Sequence, residues 1–322
     1  MNIIRKTDAN WRPASGPDVA RRRAAMLDAT RDFFAHRNVL EVSTPVLTRH
    51  AVTDANIDSV DAVNGAERLF LRTSPEYHMK RLLAAGYPDI YQVGPVFRAG
   101  EQGHHHVPEF TMIEWYRRDF DLDGIVDETL CLVQRLLDAK PETFVTGYAD
   151  AFRDALDIDI LECPTAALEA AAGADPQLAA TLGNDRNAWL DLLLATRVTS
   201  TFPAGRLTVL RHYPASQAAL ARLCPDDPRV ADRFEVFLGD VELANGFVEL
   251  ADAGEQLARF RSDQALRRAA GKPVPEIDTQ LLGALEAGLP DCAGVALGFD
   301  RLLLCALNVD DISRVTTFAP GQ

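Results

Sequence analysis

The most informative stretch of the chain is residues 90–116, IYQVGPVFRAGEQGHHHVPEFTMIEWY. Two strand-like runs, 90–98 and 109–116, flank a polar loop that contains glycines and three consecutive histidines. This pattern predicts an antiparallel hairpin with a long loop. Because side chains alternate along a strand, Glu114 and Tyr116 should point to the same face of the second strand, so that a carboxylate and a phenol lie side by side.

Helical and strand patterns surround this hairpin. Residues 17–37 carry apolar side chains at helical spacing after an early proline, which predicts one long amphipathic helix. Residues 73–76, TSPE, combine a cap residue, a proline and an acid, and predict the start of a helix that ends at Gly86. The remaining predictions are strands at 39–42, 69–72, 233–238 and 240–250, and helices at 253–270 and 300–307.

The segment of about 122–221 has a mostly helical pattern, rich in Ala and Leu, and no catalytic constellation. We interpret it as an insertion or a peripheral helical region. Since the chain shows no internal repeat and no linker, we predict one catalytic domain over residues 1–322 with this mostly helical insertion.

Composition predicts a folded, soluble, cytoplasmic protein. The 322 residues are 47% hydrophobic, which is ample for a large core. No run reaches the roughly 18 apolar residues of a membrane helix, and residues 1–11 lack the apolar stretch of a signal peptide. The five cysteines are scattered and never form a C-x-x-C pair, so neither a disulfide framework nor a zinc site is expected.

The charge disfavours a dedicated nucleic-acid binder. A formal net charge of -14 and a pI near 4.9 would on average repel phosphates. The only short basic run is residues 21–23, RRR, which we interpret as the solvent-facing side of a helix.

Several residues are candidates for chemistry, although the chain has no P-loop and no G-x-G-x-x-G after a strand. Arginines on a rigid sheet can hold phosphate or carboxylate instead, and Arg98 and Arg301 are the candidates. Buried acids would need cations, either Mg²⁺ or the ammonium groups of a basic substrate, unless they simply face solvent. These acids are Glu76, Glu114, Glu235, Glu242 and Glu249.

Three blocks together resemble the signature motifs of class II aminoacyl-tRNA synthetases. Residues 41–45, EVSTP, follow the long helix and look like motif 1, the dimer-forming element. Residues 97–101, FRAGE, through 106–110, HVPEF, look like motif 2, and residues 294–301, GVALGFDR, look like motif 3. The resemblance implies an α+β catalytic core, with a mainly antiparallel sheet flanked by helices, and a homodimer.

Within that class the chain is similar to the lysyl enzymes. The similarity rests on residues 74–77, SPEY, on 108–116, PEFTMIEWY, and on 242–247, ELANGF. Motif 1 begins close to the start of the chain, so we expect no anticodon-binding domain. That arrangement resembles the lysyl paralogues that attach an activated β-lysine to a lysine side chain of elongation factor P. The resemblance implies an AMP-forming ligase that uses ATP and Mg²⁺, activates a lysine-like amino acid such as (R)-β-lysine, and binds no tRNA stably.

The resemblance also implies roles for individual residues. Arg98 would hold the substrate carboxylate and the α-phosphate, Phe110 would stack on adenine, and Arg301 would neutralise the outer phosphates. Glu235 and Glu242 would bind magnesium, and Glu76 would meet the amino group near the substrate carboxylate. The pocket for the side-chain ammonium would comprise Glu114, Tyr116, Asn245 and Glu249, with Ser74 and Pro75 beside it, and further ATP contacts would come from Ala99, Gly100, Glu101, His106, Val107, Glu242, Leu243 and Gly298.

Two departures from the family pattern stand out. Motif 2 usually reads Arg-x-Glu, whereas here Gly100 holds the acid position and Glu101 follows it. Ser74 and Ala296 stand where lysyl enzymes usually have Ala and Gly, which favours a substrate other than α-lysine. The alternatives are a truncated enzyme acting on tRNA or on a small molecule, and a regulatory paralogue without activity.

Overall fold

The computed structural model describes residues 11–318. The prediction that no signal peptide is present falls on residues 1–11 and therefore lies almost wholly outside the described residues. The α-helices are α1 Pro17–Ala35, α2 Glu76–Ala84, α3 Leu122–Leu137, α4 Tyr148–Leu156, α5 Thr165–Ala172, α6 Pro176–Leu182, α7 Arg186–Leu193, α8 Ala253–Ala269, α9 Thr279–Gly288 and α10 Phe299–Ala306. The strands are β1 Leu40–Glu41, β2 Leu47–Thr48, β3 Val60–Asn64, β4 Glu67–Leu71, β5 Ile90–Phe97, β6 Glu109–Arg118, β7 Thr143–Gly147, β8 Leu207–Arg211, β9 Arg233–Leu238, β10 Val241–Val248 and β11 Cys292–Gly298. A π-helical turn spans Leu194–Val198, and 3₁₀ turns span Thr199–Thr201, Ala215–Gln217 and Ile312–Arg314.

An eight-stranded sheet in the order β1-β5-β6-β11-β10-β9-β8-β7 forms the centre of the molecule. The β1–β5 and β7–β8 pairs are parallel, and the pairs between them are antiparallel. This confirms the predicted α+β class with a mainly antiparallel sheet. The predicted hairpin is also confirmed, since β5 and β6 pair from Ile90–Tyr116 to Phe97–Glu109.

One face of the sheet carries the main hydrophobic core. Helices α1, α3 and α10 pack there against the apolar side chains of β6, β9, β10 and β11. Phe34 of α1 stacks on Tyr91 with ring centroids 4.3 Å apart, and it also contacts Trp115. Because β6 is covered on both faces, its polar side chains on the opposite face are buried as well.

Helices α2, α8 and α9 frame the opposite face of the sheet. Their apolar residues form a second core with Ile90 and Tyr116. A three-stranded sheet, β2-β4-β3, precedes α2 in the chain. The predicted substrate residues lie where the start of α2 contacts the central strands.

Residues 122–221 divide into two parts. Helix α3 belongs to the main core, whereas α4, α5 and α7 form a separate core with Leu210, Tyr213 and Phe237 at the far end of the sheet. The segment also contributes β7 and β8 to the sheet, which the helical pattern did not predict. Both strands are short runs of five residues, and periodicity alone does not separate such runs from buried helix. The status of the segment as an insertion stays a prediction.

Two other sequence predictions need correction, and some elements were not predicted at all. The strand expected at 39–42 pairs only over Leu40–Glu41. Strand β11 and helix α9 were not predicted as elements. The run at residues 21–23 is not simply solvent-facing, because Arg22 donates to the Leu136 carbonyl at 3.0 Å and Arg23 donates to Thr111 Oγ1 at 2.6 Å.

Within residues 11–318, none of the helices is both long and apolar enough to cross a membrane.

Candidate active site

Four residues on neighbouring strands, three of them polar, form a row across the centre of the sheet. Glu114 on β6 lies opposite Ala296 on β11, Ala296 lies opposite Asn245 on β10, and Asn245 lies opposite Glu235 on β9. Residues opposite one another in a sheet share a face, so this row faces α2 rather than the main core. Glu114 is 2% exposed and Glu235 is 8% exposed, which means that their charges need partners.

Ser74 and Tyr116 hold the carboxylate of Glu114. Ser74 Oγ donates to Glu114 Oε2 at 2.7 Å, and Tyr116 OH donates to Glu114 Oε1 at 2.8 Å. Ser74 Oγ also accepts from the backbone N–H of Glu76 at 2.9 Å, which fixes the start of α2. The alternation argument from the sequence is thus confirmed, because Glu114 and Tyr116 lie on one face and touch.

Lys80 connects two further acids of the pocket. Its Nζ lies 2.7 Å from Glu76 Oε1, one helical turn earlier, and 2.5 Å from Glu249 Oε2. Burial works against a charged ammonium, but Glu249 and Glu76 raise the pKa of Lys80. Lys80 is therefore a buried cation between Glu76 and Glu249, and the third carboxylate, Glu114, interacts with the charge of the buried Arg72.

Burial, together with the negative charge of the neighbouring acids, raises the proton affinity of Glu114 and Glu249. Burial raises the pKa of Glu114 to about 7, and the neighbouring Glu76 adds to the rise. Burial also raises the pKa of Glu249 to about 8, with Lys80 opposing and Glu76 and Glu114 reinforcing the rise. A further cation in the pocket would relieve this repulsion, so the site is suited to a substrate with an ammonium group.

Gly294 provides the space in which Glu249 and Tyr116 approach β11. A Cβ at this position would lie 2.5 Å from Glu249 Oε1 and 2.5 Å from Tyr116 Cε1. Contacts this short do not occur in folded proteins, so glycine is required for the side chains to lie where they do.

Arg98 and Phe110 lie together where the hairpin loop begins and ends. The Arg98 guanidinium lies 5.2 Å from the Phe110 ring centroid and 3.5 Å from Glu101 Oε1. Arg98 Nε is buried and has no hydrogen-bond partner among residues 11–318, which leaves a donor available for an anion. Gly100 has a φ of 79°, a conformation that favours glycine, and the acid that pairs with Arg98 is the next residue, Glu101.

Arg301, in the first turn of α10, joins the hairpin loop to β10. It donates to the His105 carbonyl at 3.1 Å and to Glu242 Oε2 at 3.2 Å, and its third nitrogen lies 2.7 Å from His106 Nε2. Partial desolvation of the imidazole ring and the charge of Arg301 lower the pKa of His106. With His106 neutral, the positive charge of the His106–Arg301 contact lies on the Arg301 guanidinium.

The predicted magnesium ligands, Glu235 and Glu242, are each paired with an arginine. Arg233 donates to Glu235 Oε1 at 2.7 Å and to Asn245 Oδ1 at 3.3 Å, while Glu242 is paired with Arg301. Burial raises the pKa of Glu235 to about 7, and the charge of Glu242 adds to it. Two mutually repelling carboxylates are oxygen donors that fit a hard divalent cation, so this donor set is compatible with Mg²⁺.

The other predicted ATP residues have varied positions. Ala99 and Gly100 are exposed in the hairpin loop, and Gly298 is the N-cap of α10. Val107 and Leu243 have side chains in the main core, so only their backbone groups can face a nucleotide. Pro75 directly precedes α2.

Sequence reasoning assigned no role to Lys80, Arg233 or Gly294. Lys80 stands four residues after Glu76, and Arg233 stands two residues before Glu235, so both spacings indicated a possible pair. The need for glycine at position 294 arises from contacts with β6 and Glu249, which are distant in sequence.

Comparison with known proteins gives a consistent result. The family model described as tRNA synthetases class II (D, K and N) matches residues 9–322. A protein of Photorhabdus laumondii named "Elongation factor P--(R)-beta-lysine ligase" is 46% identical over 319 residues, covering 97% of this chain and 98% of the relative. A protein of the same name from Vibrio cholerae is 44% identical, covering 97% of this chain and 98% of the relative. Another, from Mannheimia succiniciproducens, is also 44% identical, covering 96% of this chain and 97% of the relative.

Proposed function

The chain belongs to the family of class II tRNA synthetases (D, K and N), and on that premise we propose that it is an ATP-dependent ligase that activates (R)-β-lysine and transfers it to elongation factor P. Relatives that match nearly the whole chain carry the name of that ligase. The acceptor is a lysine side chain of elongation factor P, and the activated intermediate is an aminoacyl-adenylate.

The single observation that carries this proposal is the buried acidic pocket. Lys80 contacts the carboxylates of Glu76 and Glu249, and burial, reinforced by neighbouring carboxylates, raises the pKa values of Glu114 and Glu249. A lysine-like substrate brings two ammonium groups and so can stabilise these carboxylates in their charged form. Glu76 binds the amino group nearer the carboxylate, and Glu114, Tyr116, Asn245 and Glu249 surround the side-chain ammonium.

The other end of the site is suited to ATP. Arg98 is the residue for the substrate carboxylate and the α-phosphate, because it has a buried donor without a partner. Phe110, beside it, offers a ring for adenine, and Arg301 faces the outer phosphates with its guanidinium held in one orientation by three contacts. Glu235 and Glu242 would hold Mg²⁺, which would offset the negative charge of the phosphate oxygens.

The chemistry needs no protein nucleophile. A carboxylate oxygen of β-lysine attacks the α-phosphorus, and the bond from that phosphorus to the bridging oxygen breaks to release pyrophosphate. The neutral amine of the acceptor lysine then attacks the acyl carbon, AMP leaves with the electron pair of the acyl–oxygen bond, and the amine loses a proton. The protein contributes alignment and charge stabilisation, which account for much of catalysis in such reactions.

The absence of stable tRNA binding and the homodimer are parts of the same proposal. The net charge of -14 supports the first, because it would repel a polyanion on average. The resemblance of residues 41–45 to motif 1 supports the second.

Acceptor labelling tests the proposal. Purified protein is incubated with ATP and radiolabelled α-lysine or β-lysine, and with elongation factor P or bulk tRNA. We expect label on elongation factor P, strongest with β-lysine, and a release of pyrophosphate that depends on the amino acid. Label on tRNA alone, or no amino-acid-dependent pyrophosphate release, would overturn it. Glu242→Ala is the inactive control.

A further inference from the structure

A second group of possible metal ligands lies outside the active site. His212 follows β8, Cys224 lies in the loop before β9, and Asp232 directly precedes β9. The donor atoms of these three side chains all lie within 4.8 Å of one another. They come from three separate parts of the segment between β8 and β9, so their proximity results from the fold and not from adjacency in sequence.

Backbone hydrogen bonds hold the three parts together. His212 N–H donates to the Arg233 carbonyl at 2.9 Å, and Asp232 N–H donates to the Arg222 carbonyl at 3.0 Å. Cys224 N–H donates to the Val230 carbonyl at 2.9 Å. The donor positions are therefore fixed by the backbone before any ion arrives, which lowers the entropic cost of binding one.

Two of the three side chains have atoms available to ligate a metal ion. His212 Nδ1 is buried and has no hydrogen-bond partner among residues 11–318. Asp232 is 5% exposed, and Arg222 Nε donates to its Oδ2 at 2.9 Å, which orients the carboxylate and leaves Oδ1 available. An unsatisfied buried nitrogen costs free energy unless something binds it, and a metal ion would bind it.

The backbone at His212 is also unusual. Its φ is 59°, in the left-handed region that few non-glycine residues adopt. Residues held in that conformation tend to occur at functional sites, where the surroundings impose it.

We propose that His212, Cys224 and Asp232 form a zinc-binding site. A thiolate, an imidazole and a carboxylate are the ligand types that Zn²⁺ accepts in a tetrahedral site, and a water molecule takes the fourth position, since His212 and Cys224 are half-buried. Binding releases the thiol proton of Cys224 to solvent. The thiolate and the carboxylate carry two negative charges, which balance the divalent ion, and Arg222, paired with Asp232, adds one positive charge beside the site.

Zinc binding would stabilise a segment that lies beside the active site. Arg222 N–H donates to the Val248 carbonyl at 2.9 Å, and Ala221 pairs with Glu249 across an isolated bridge. Zinc would therefore cross-link three points of the segment of residues 212–232, which these backbone contacts attach to the sheet next to Glu249. This inference is independent of the proposed reaction, because it concerns only the stability of that segment.

Metal titration of the full-length protein is the test. Chelator-treated, reduced protein is titrated with Co²⁺, whose bond to a thiolate gives a charge-transfer absorption band, and then with Zn²⁺, followed by measurement of bound zinc by mass spectrometry. We expect one zinc per chain and a thiolate–cobalt band. Cys224→Ser should abolish the band, and Cys224→Ser and Asp232→Asn should each weaken zinc binding by at least about tenfold, since losing a ligand costs more than losing an outer hydrogen bond.

Cys131→Ser is the matched control, because Cys131 is exposed on α3 and outside the group. It should bind zinc as the unmodified protein does, and added zinc should raise the melting temperature of both. The absence of a cobalt band in the unmodified protein overturns the proposal without any variant, so a misfolded variant does not decide the outcome. Equal zinc binding by the unmodified protein and Cys224→Ser would also overturn it.

Discussion

The ammonium of Lys80 lies 2.5 Å from Glu249 Oε2, and each of the two side chains is 1% exposed. Such a buried pair gains little net stability from its own attraction, because both charges have left water. The same ammonium also contacts Glu76. Its role is therefore to hold these two carboxylates in place and to oppose the rise that burial causes in the pKa of Glu249.

Removal of this cation should destabilise the protein. We expect Lys80→Met to lower the free energy of unfolding by about 3 kcal/mol or more, because Glu249 would remain buried without its partner. Urea denaturation measures the change. Lys140→Met, at an exposed position, is the control and should change the free energy by no more than about 0.5 kcal/mol.

The double variant Lys80→Met, Glu249→Gln should recover part of the loss, since it removes both charges together. If Lys80→Met is as stable as the control variant, Lys80 does not compensate Glu249.

The stability of the ligand-free protein should fall as the pH rises. Glu114, Glu235 and Glu249 have folded-state pKa values of about 7, about 7 and about 8 against an ordinary value of 4.5. Between pH 4.5 and the folded-state pKa values, the folded protein binds more protons than the unfolded chain. The stabilising contribution of the three protonated acids is therefore complete below their ordinary pKa and is lost as the pH passes the folded-state pKa. Urea denaturation between about pH 5 and about pH 8 should show the fall.

Glu114→Gln should make this pH profile less steep, because an amide does not titrate, whereas Glu235 and Glu249 still do. Glu109→Gln, an exposed position on the same strand, should leave the profile unchanged. A stability that rises steadily over this range would contradict the raised pKa values.

The sequence predicted most of the elements that hold the site. Helices α1, α2, α8 and α10 and the β5–β6 hairpin follow from local signals: periodicity, caps and alternation. Strands β7 and β8 did not, because they are short and their pairing depends on the edge of a sheet formed by distant residues. Residues in β11 were recognised by motif but not as a strand, since their apolar run has no alternation.

The site was predictable residue by residue only through the family resemblance. Alternation alone placed Glu114 beside Tyr116, and the structure confirms that contact. The bond from Ser74 to Glu114 joins residues 40 positions apart, and no local pattern indicates it. Charge balance in the pocket depends on Lys80, whose partner Glu249 is still more distant in sequence.

Arg301 should be essential for adenylate formation. Its guanidinium contacts His105, His106 and Glu242 at once, and a lysine has no planar fork with which to do so. We expect Arg301→Lys and Arg301→Gln to reduce amino-acid-dependent pyrophosphate exchange by about 100-fold to about 1,000-fold. Arg314→Gln, an exposed arginine, is the control, and exchange by Arg301→Gln at the control rate would remove Arg301 from the phosphate site.

Ser74 and Ala296 should set the preference for the substrate. Ser74 donates to Glu114, and Ala296 lies opposite Glu114 in register, so both shape the surroundings of one carboxylate. In the double variant Ser74→Ala, Ala296→Gly we expect the ratio of kcat/KM for β-lysine over α-lysine to fall by about tenfold or more. Ser216→Ala, at an exposed serine, should keep the original ratio, and an unchanged ratio in the double variant would assign the preference to other residues.

Gly294 should tolerate no side chain. A methyl group there would lie 2.5 Å from both Glu249 Oε1 and Tyr116 Cε1, and neither can retreat freely, because Lys80 holds Glu249 and Glu114 accepts from Tyr116. We expect Gly294→Ala to cost about 1 to 3 kcal/mol of unfolding free energy and to weaken amino-acid binding in calorimetry. Gly283→Ala is the matched control, since its Cβ meets nothing within 4 Å and it lies in α9, where alanine should be neutral or stabilising. Equal stability and equal amino-acid affinity in the two variants would mean that Glu249 and Tyr116 do not occupy the positions on which the pocket depends.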